Sequence, residues 1–300
     1  MSNLNKIVIL VDSFKGSMSS IDISQLGKAY FNQVLPNVLV EARSIADGGE
    51  GTVSFFIDEL GYKEEVVESV NAYLEPIKTR YATKGNQAVF DVASIVGFDA
   101  NHDYLDILKA TTYGIGIVLK KIIEKGYKNI YLGLGGSITN DGGSGILEAM
   151  GAKFYQNSKL IEIHKSPFEM VNKVDLTTVF ELFNGVTLTA LCDVTNPLLG
   201  PLGATSIFSP QKGSTIESRK IMESWMENYA KLFETPCDIA GCGAAGGIGF
   251  MVNVLNGKLS KGIDVMLDEI GITKMLDEKT LLITGEGALD KTSFGGKVVG

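Results

Sequence analysis

Apolar strands that end in glycine-rich loops recur along this chain and constrain its fold more than any other feature. Lys6–Val11 has the pattern of a buried strand and runs into Asp12–Ser17, and Val38–Ser44 runs into Ala46–Gly51. Another apolar run leads into Gly133–Gly145, and helix-like segments follow these loops. Alternating strands and helices predict an α/β fold with a doubly wound, Rossmann-like sheet. The loops would then gather at the carboxyl edge of the strands.

The pattern changes near residue 63. Residues 64–70, 77–82 and 88–94 are β-rich and are separated by turn residues, which predicts antiparallel pairing and the start of a second domain. Alternation then returns, and we expect helices at 112–125, 216–233 and 250–255 and strands at 129–132, 187–192 and 280–283.

Composition indicates an ordinary globular protein, with 45% apolar and 21% charged residues among 300. The formal net charge of −8 and the lack of a basic cluster argue against a nucleic-acid partner. Three scattered cysteines do not make a disulfide framework or a zinc site. No signal peptide or membrane-length apolar run is seen, so we expect a cytoplasmic protein that has no membrane partner.

Gly133–Gly145, hereafter the glycine loop, has six glycines in thirteen residues. Such loops place backbone N–H groups at a helix N-terminus, where a phosphate can bind. We expect Gly135, Gly136, Ser137 and Thr139 to contribute to such a site. The loop lacks both the Walker A lysine and a GxGxxG pattern, so a glycine-dense packing turn is the alternative.

Two earlier loops carry charged side chains. Lys15, with the hydroxyls of Ser13 and Ser17, could hold a phosphate or a carboxylate, although a solvated turn with a helix cap explains them equally well. Asp47 and Glu50 stand among glycines, which leave carboxylates approachable by a metal or a hydroxyl group; a capped tight turn is the alternative.

The later loops repeat this arrangement. Asp193 follows an apolar strand and could act as a base or hold Mg²⁺, whereas Asn196, which precedes a proline, is more simply a turn former. Glu286 and Lys297 lie in the last glycine loops. Asp193 and Asp47 are therefore the candidate metal ligands.

Taken together, these motifs resemble the bacterial glycerate kinase family (type I). The segments that carry the resemblance occur in family order along nearly the whole chain: 12–17, 46–52, 133–143, 192–198, 200–204, 208–213, 243–249 and 284–287.

The resemblance implies Mg²⁺-assisted transfer of a phosphoryl group from ATP to D-glycerate, a small-molecule substrate. It also implies a Rossmann-like domain (1–62 and 275–300), an inserted α/β domain (63–274) and a site in the cleft between them. In that site Gly135, Gly136, Ser137, Thr139 and Glu286 would bind nucleotide.

The remaining candidate residues would then contact substrate or take part in the transfer. Asp193, Asp47 and Lys15 are the catalytic candidates, and the candidates for glycerate binding are Ser13, Lys15, Ser17, Glu50, Asn196 and Lys297. The pattern allows either a monomer or a homodimer, and either the C2 or the C3 hydroxyl group as acceptor.

Two other functions are open. Family members continue for several βα elements beyond the loop at 295–297, so a catalytically impaired kinase that only binds a sugar acid or nucleotide is the main alternative. A nicotinamide-dependent oxidoreductase would need a GxGxxG fingerprint after the first strand, and Asp12–Ser17 does not provide one.

Overall fold

Three β-sheets with helices on their faces make up the structure, a computed structural model that describes residues 4–12, 14, 17–46, 48, 49, 51–98 and 105–287. The strands are β1 (Lys6–Val11), β2 (Leu39–Ser44), β3 (Lys63–Val70), β4 (Pro76–Lys84), β5 (Gln87–Asp91), β6 (Asn129–Gly133), β7 (Lys153–Gln156), β8 (Lys159–Ile161), β9 (Lys173–Asp175), β10 (Thr187–Leu191), β11 (Lys258–Ser260) and β12 (Thr280–Gly285). The helices are α1 (Ser20–Val34), α2 (Thr52–Asp58), α3 (Ala93–Val96), α4 (Tyr113–Glu124), α5 (Ser144–Ala149), α6 (Thr177–Leu182), α7 (Ala204–Phe208), α8 (Ile216–Ala230), α9 (Ala244–Val254), α10 (Gly262–Ile270) and α11 (Ile272–Met275).

The first sheet is parallel and has the strand order β12-β1-β2. Its central strand β1 is buried on both faces, which explains the unbroken apolar run. Ile7 and Ile9 pack on the side of α1, against Phe31, and Val8 and Leu10 pack on the opposite side with the helices that precede β12. Because a parallel strand that is covered on both faces has no side exposed to solvent, its residues are apolar throughout and do not alternate with polar ones.

The second sheet has six strands in the order β11-β10-β6-β5-β4-β3. The predicted antiparallel pairing is confirmed for β3 with β4 and for β4 with β5. These strands do not form a sheet of their own, however, because β5 continues the same sheet through parallel pairing with β6. Strands β6, β10 and β11 then pair in parallel, and their carboxyl ends share one edge.

Strand pairing and helix packing place the boundary between the two parts of the chain at slightly different residues. All strands from β3 to β11 belong to the second and third sheets, whereas β12 returns to the first. Helix α2, which precedes β3, nevertheless packs against β4 and β5 and contributes Val53, Phe55 and Phe56 to the large core of the six-stranded sheet. The domain boundaries at residues 62 and 275 stay a prediction.

A small third sheet, in the order β8-β7-β9, was not predicted from the sequence, nor was β11. These strands have only three or four residues each, too few for a periodic pattern to develop. In the described part of the chain, every helix is too short or too polar to cross a lipid bilayer.

Helices α4 and α5 approach each other closely through Gly116. A methyl group at Gly116 would lie 2.5 Å from the carbonyl oxygen of Ile146 and 2.7 Å from the side chain of Ala149. Both neighbours belong to α5, which directly follows the glycine loop. The contact between these helices therefore sets the position of the loop relative to the sheet.

We expect Gly116→Ala to lower the free energy of unfolding by about 2 kcal/mol, since overpacking a well-filled contact costs roughly 1–3 kcal/mol. Urea unfolding followed by circular dichroism measures the change. The control is Lys120→Ala on the same helix, which we expect to change stability by less than about 0.5 kcal/mol. A rise of about 1 kcal/mol in Gly116→Ala, as helix propensity alone would give, would contradict the close approach.

Candidate active site

A cavity of about 240 Å³ lies where three strand-end loops meet. Gly48 and Gly49 line it from the loop after β2, the segment 134–137 lines it from the glycine loop, and Asp193 lines it from the loop after β10. The structure thus brings together four of the predicted site residues: Gly135, Gly136, Ser137 and Asp193.

Strand register explains why two of these loops meet. Strands β6 and β10 are parallel neighbours, and Gly133 pairs with Leu191, the last residue of β10. The N–H group of Leu134 donates to the carbonyl of Leu191 at 3.1 Å. The chain segments that follow the two strands therefore leave the sheet side by side, at the edge where parallel α/β sheets usually bind ligands.

Three successive residues that line this cavity, Gly135 to Ser137, each carry a backbone N–H group. Among the described residues, the N–H groups of Gly135, Gly136 and Ser137 have no acceptor, although the flanking Leu134 and Ile138 donate to backbone carbonyls. Gly136 has a φ of +81°, which favours glycine. Successive N–H groups in such a turn form a concave anion-binding surface.

Glycine at 135 has a steric reason as well. A methyl group there would lie 2.6 Å from the Cα atom of Gly49, so the loops after β6 and β2 touch at backbone level. Side chains at this crossing would separate the two loops and widen the cavity. The crossing also brings Gly48 and Gly49, the neighbours of the predicted ligand Asp47, to the cavity wall.

The expectation that the glycine loop presents its donors at a helix N-terminus is wrong. Helix α5 begins at Ser144, well after Gly135, and its first turn is buried. The carboxylate of Asp141 accepts from the N–H of Gly143 at 3.1 Å, and the N–H of Gly142 donates to Gly246. The free donors lie instead directly after β6, at the beginning of the loop.

Asp141 anchors the glycine loop from inside the protein. Its carboxylate accepts from the N–H and the hydroxyl of Thr112, at 2.8 and 2.9 Å, and from the hydroxyl of Thr111 at 3.3 Å. Burial raises the pKa of Asp141, and hydrogen bonds from Thr112, Gly143 and Gly145 oppose that rise. A carboxylate at the beginnings of both α4 and α5 also interacts favourably with the two helix dipoles.

Asp193 is held from the opposite side of the cavity. It follows β10 by two residues, and one carboxylate oxygen accepts from the N–H of Gly262, the first residue of α10, at 3.1 Å. The side chain is half-buried and lines the cavity. Among the described residues it is the one carboxylate in the cavity wall.

Lys212 completes the cavity and was missed as a site residue. It ends the 3-10 turn Pro210–Lys212, is 3% exposed, and donates to the carbonyl of Thr139 at 2.7 Å and to the hydroxyl of Ser137 at 3.2 Å. Burial lowers its pKa to about 7, although Asp141 opposes this. The segment 208–213 is one of those that resemble the glycerate kinase family. A lysine in a turn that contains proline is nevertheless normally predicted to be exposed, so its sequence context gave no sign of burial.

Other predicted residues lie away from this cavity. The side chain of Thr139 is fully buried, and the side-chain amide of Asn196 donates to the carbonyl of Leu202 at 2.8 Å, as a turn former would. Ser17 lines a second depression beside β1. Glu286 follows β12, whose last residue pairs with Val11 at the end of β1.

Five predicted residues lie outside the described residues: Ser13, Lys15, Asp47, Glu50 and Lys297. Their proposed contacts stay predictions. For the metal site, no group of three or more His, Cys, Asp or Glu side chains is placed to hold an ion in the parts of the chain that the structure describes.

Comparison with known proteins shows the family of this chain. The model of the glycerate kinase family matches residues 7–300. The chain belongs to the glycerate kinase family. As a member of this family it is a kinase, a phosphotransferase with an alcohol group as acceptor, which confirms the prediction made from the motifs.

Two curated members of the glycerate kinase family show the extent of the similarity. The glycerate kinase of Bacillus subtilis (strain 168) is 33% identical over 304 residues, covering 97% of this chain and 79% of the relative. The glycerate 2-kinase of Escherichia coli (strain K12) is 32% identical over 303 residues, covering 98% of this chain and 80% of the relative. The chain thus spans about four fifths of the length of these relatives.

The fold class is confirmed by a solved structure. A crystal structure described as a "putative glycerate kinase 2" from Salmonella typhimurium LT2 matches with a TM-score of 0.87 at 30% identity, covering 98% of this chain and 81% of that one. The α/β architecture described above is therefore that of the glycerate kinase family.

We expect Asp141→Asn to lower the free energy of unfolding by about 2–3 kcal/mol, because the amide would turn an N–H group toward donors that now face a carboxylate oxygen. Chemical denaturation measures this loss. Asp175→Asn is the matched control, since half-buried Asp175 accepts from the N–H and the hydroxyl of Thr177 through one oxygen, and the side-chain oxygen of asparagine can accept both bonds. Equal and small losses in both variants would show that Asp141 does not anchor the loop.

Proposed function

We propose that this kinase transfers the terminal phosphoryl group of ATP to a hydroxyl group of D-glycerate with the assistance of Mg²⁺. The observation that carries the proposal is the cavity that combines three free backbone donors, at Gly135 to Ser137, with the carboxylate of Asp193. Phosphoryl transfer requires positioning and charge stabilisation, and these groups supply both. The names of the relatives support glycerate as the acceptor.

The donors at Gly135, Gly136 and Ser137 suit the phosphates of the nucleotide. Backbone N–H groups held by a rigid loop need little reorganisation when charge develops on phosphate oxygens. The anchoring of the loop by Asp141 and its contact with Gly49 provide this rigidity. In this proposal the glycine loop positions the phosphates and carries out no proton transfer.

Asp193 is the proposed base or metal ligand. As a base, its carboxylate would accept the proton of the glycerate hydroxyl while the oxygen of that hydroxyl forms a bond to phosphorus, which requires a separation of about 2.6–3.2 Å. The hydrogen bond from Gly262 to one carboxylate oxygen holds the Asp193 side chain at the cavity wall. Asp47 is the second candidate for either role, because Gly48, the next residue in the chain, lines the same cavity.

The residues present fit a magnesium ion that arrives with the nucleotide. Magnesium in kinase sites is usually bound by one or two carboxylates together with substrate phosphates, so the single described carboxylate, Asp193, suffices with Asp47 as a second ligand. When bound, Mg²⁺ would neutralise charge on the phosphate oxygens.

The acceptor would be held by charged residues of neighbouring loops. Lys15 and Lys297 are the proposed contacts for the glycerate carboxylate or for the transferred group, and Ser13, Ser17 and Glu50 are further candidates. Thr139, Asn196 and Glu286 are weaker candidates, because none of them lines the cavity. We propose a cytoplasmic enzyme that works as a monomer or homodimer without a nucleic-acid partner.

The family relatives favour the kinase over the alternative of a binding protein without catalysis. A coupled assay tests this choice. Release of ADP from ATP only when D-glycerate is present supports the proposal, and ³¹P–¹H coupling in the product distinguishes phosphorylation at C2 from phosphorylation at C3. Binding of glycerate without ADP release would contradict it.

We expect Asp193→Asn to lower kcat by at least ~10²-fold, since the amide can neither accept the proton nor bring a charge to a metal. The glycerate-dependent release of ADP measures the effect. Asparagine keeps an oxygen that can accept from Gly262, so the loop remains anchored and the melting temperature should change little. Near-normal turnover in this variant would exclude Asp193 as both base and metal ligand.

A further inference from the structure

Lys212 is buried without a partner of opposite charge. Its side chain is 3% exposed, and among the described residues no carboxylate lies within ion-pair distance of its Nζ atom. Buried lysines are normally paired, because an isolated ammonium group is costly away from water. A lysine that is both buried and unpaired beside a cavity is a candidate functional group.

The hydrogen bonds of Lys212 hold its Nζ atom against the glycine loop, close to the residues with free backbone donors. An ammonium group has three hydrogens, and the described contacts use two of them, at Thr139 and Ser137. Ser137 also contributes one of the three free N–H groups. Lys212 and the three residues that carry the backbone donors therefore line one cavity, and protonation of Nζ would give it a third hydrogen for a ligand there.

We propose that Lys212 is the cation that contacts the nucleotide phosphates in this cavity, and that it takes up a proton when they bind. This inference rests on the proposed function, since it requires a nucleotide in this cavity. It adds a residue that the motif-based assignment to Lys15 and Lys297 did not include.

The groups around Lys212 allow such a change of charge. Asp141 lies behind the glycine loop, Asp193 and Cys192 line the cavity from the loop after β10, and Tyr229 lies within the core on α8. Burial raises the pKa of Cys192 to about 11 and the pKa of Tyr229 well above its ordinary value, so neither titrates near neutrality.

The direction of the effect follows from the pKa of Lys212. Burial lowers this pKa to about 7, so at pH 8 the free protein holds Lys212 mostly as a neutral amine. Phosphate oxygens beside Nζ would raise the pKa, and binding would take up a proton from solvent. Affinity for the nucleotide should consequently fall as pH rises above 7.

Isothermal titration of the full chain with MgATP, in the absence of glycerate, tests this inference. Titrations at pH 8 in two buffers of different ionisation enthalpy give the number of protons taken up. We expect roughly half a proton or more for the wild-type chain and no uptake for Lys212→Met, together with about tenfold or greater loss of affinity. Lys212→Arg should keep much of the affinity without the uptake.

Two controls make the result decisive. Lys109→Met, at an exposed lysine, should leave both affinity and proton uptake unchanged. If Lys212→Met does not fold, the wild-type chain alone still tests the inference, because its dissociation constant should rise at least about tenfold between pH 7 and pH 9.

The outcomes separate this inference from the proposed function. Equal proton uptake in the wild type and in Lys212→Met, or a dissociation constant that is unchanged from pH 7 to pH 9, would overturn the role of Lys212 while leaving the kinase in place. No binding of MgATP by the wild-type chain would overturn the proposed nucleotide site itself, and this inference with it.

Discussion

The hydrogen bonds of one buried carboxylate, Asp141, hold together the part of the molecule on which the site depends. They join the glycine loop to the beginning of α4, through Thr111 and Thr112, and to the beginning of α5, through Gly143. With the end of the loop fixed in this way, the N–H groups of its first residues, which line the cavity, need no acceptor among the described residues. A loop that satisfied these donors internally would have no capacity to bind an anion.

Most glycines in these loops serve close packing and do not contact the cavity. A methyl group at Gly246 would collide with the carbonyl oxygen of Thr139, and one at Gly247 would lie 2.7 Å from the Cα atom of Gly142. The first turn of α9, where Gly246 and Gly247 have positive φ, therefore rests directly on the glycine loop. The many glycines thus indicate a place where the backbones of several segments are in contact. The proposed anion-binding surface is only the segment from Gly135 to Ser137.

Much of the fold could be predicted because its strands are long and either fully apolar or clearly separated by turns. The ends of the strands in the first sheet and in the six-stranded sheet were predicted to within three residues, except for β11, and the antiparallel segment was recognised. The third sheet was missed because its strands are too short to show a period. The pairing of β5 with β6 in one sheet was not predicted, because these strands are far apart in the sequence and local patterns carry no information on such pairing.

The candidate site could be predicted only in part. Gly135, Gly136, Ser137 and Asp193 follow strands that end at one edge, so the topology alone places them near one another. The positions of Asn196 and Thr139 depend on the paths of individual loops. Lys212 could not be found from its neighbours in sequence, because its burial results from packing of the turn at 210–212 against a loop some 70 residues earlier.

The most direct test of this account is a crystal structure of the chain with Mg²⁺ and a non-hydrolysable ATP analogue. The account predicts phosphate oxygens within hydrogen-bond distance of the N–H groups of Gly135, Gly136 and Ser137, with the carboxylate of Asp193 facing the metal or the terminal phosphate. Phosphates bound elsewhere, for example in the depression beside Ser17, with these three N–H groups left exposed to solvent, would contradict it.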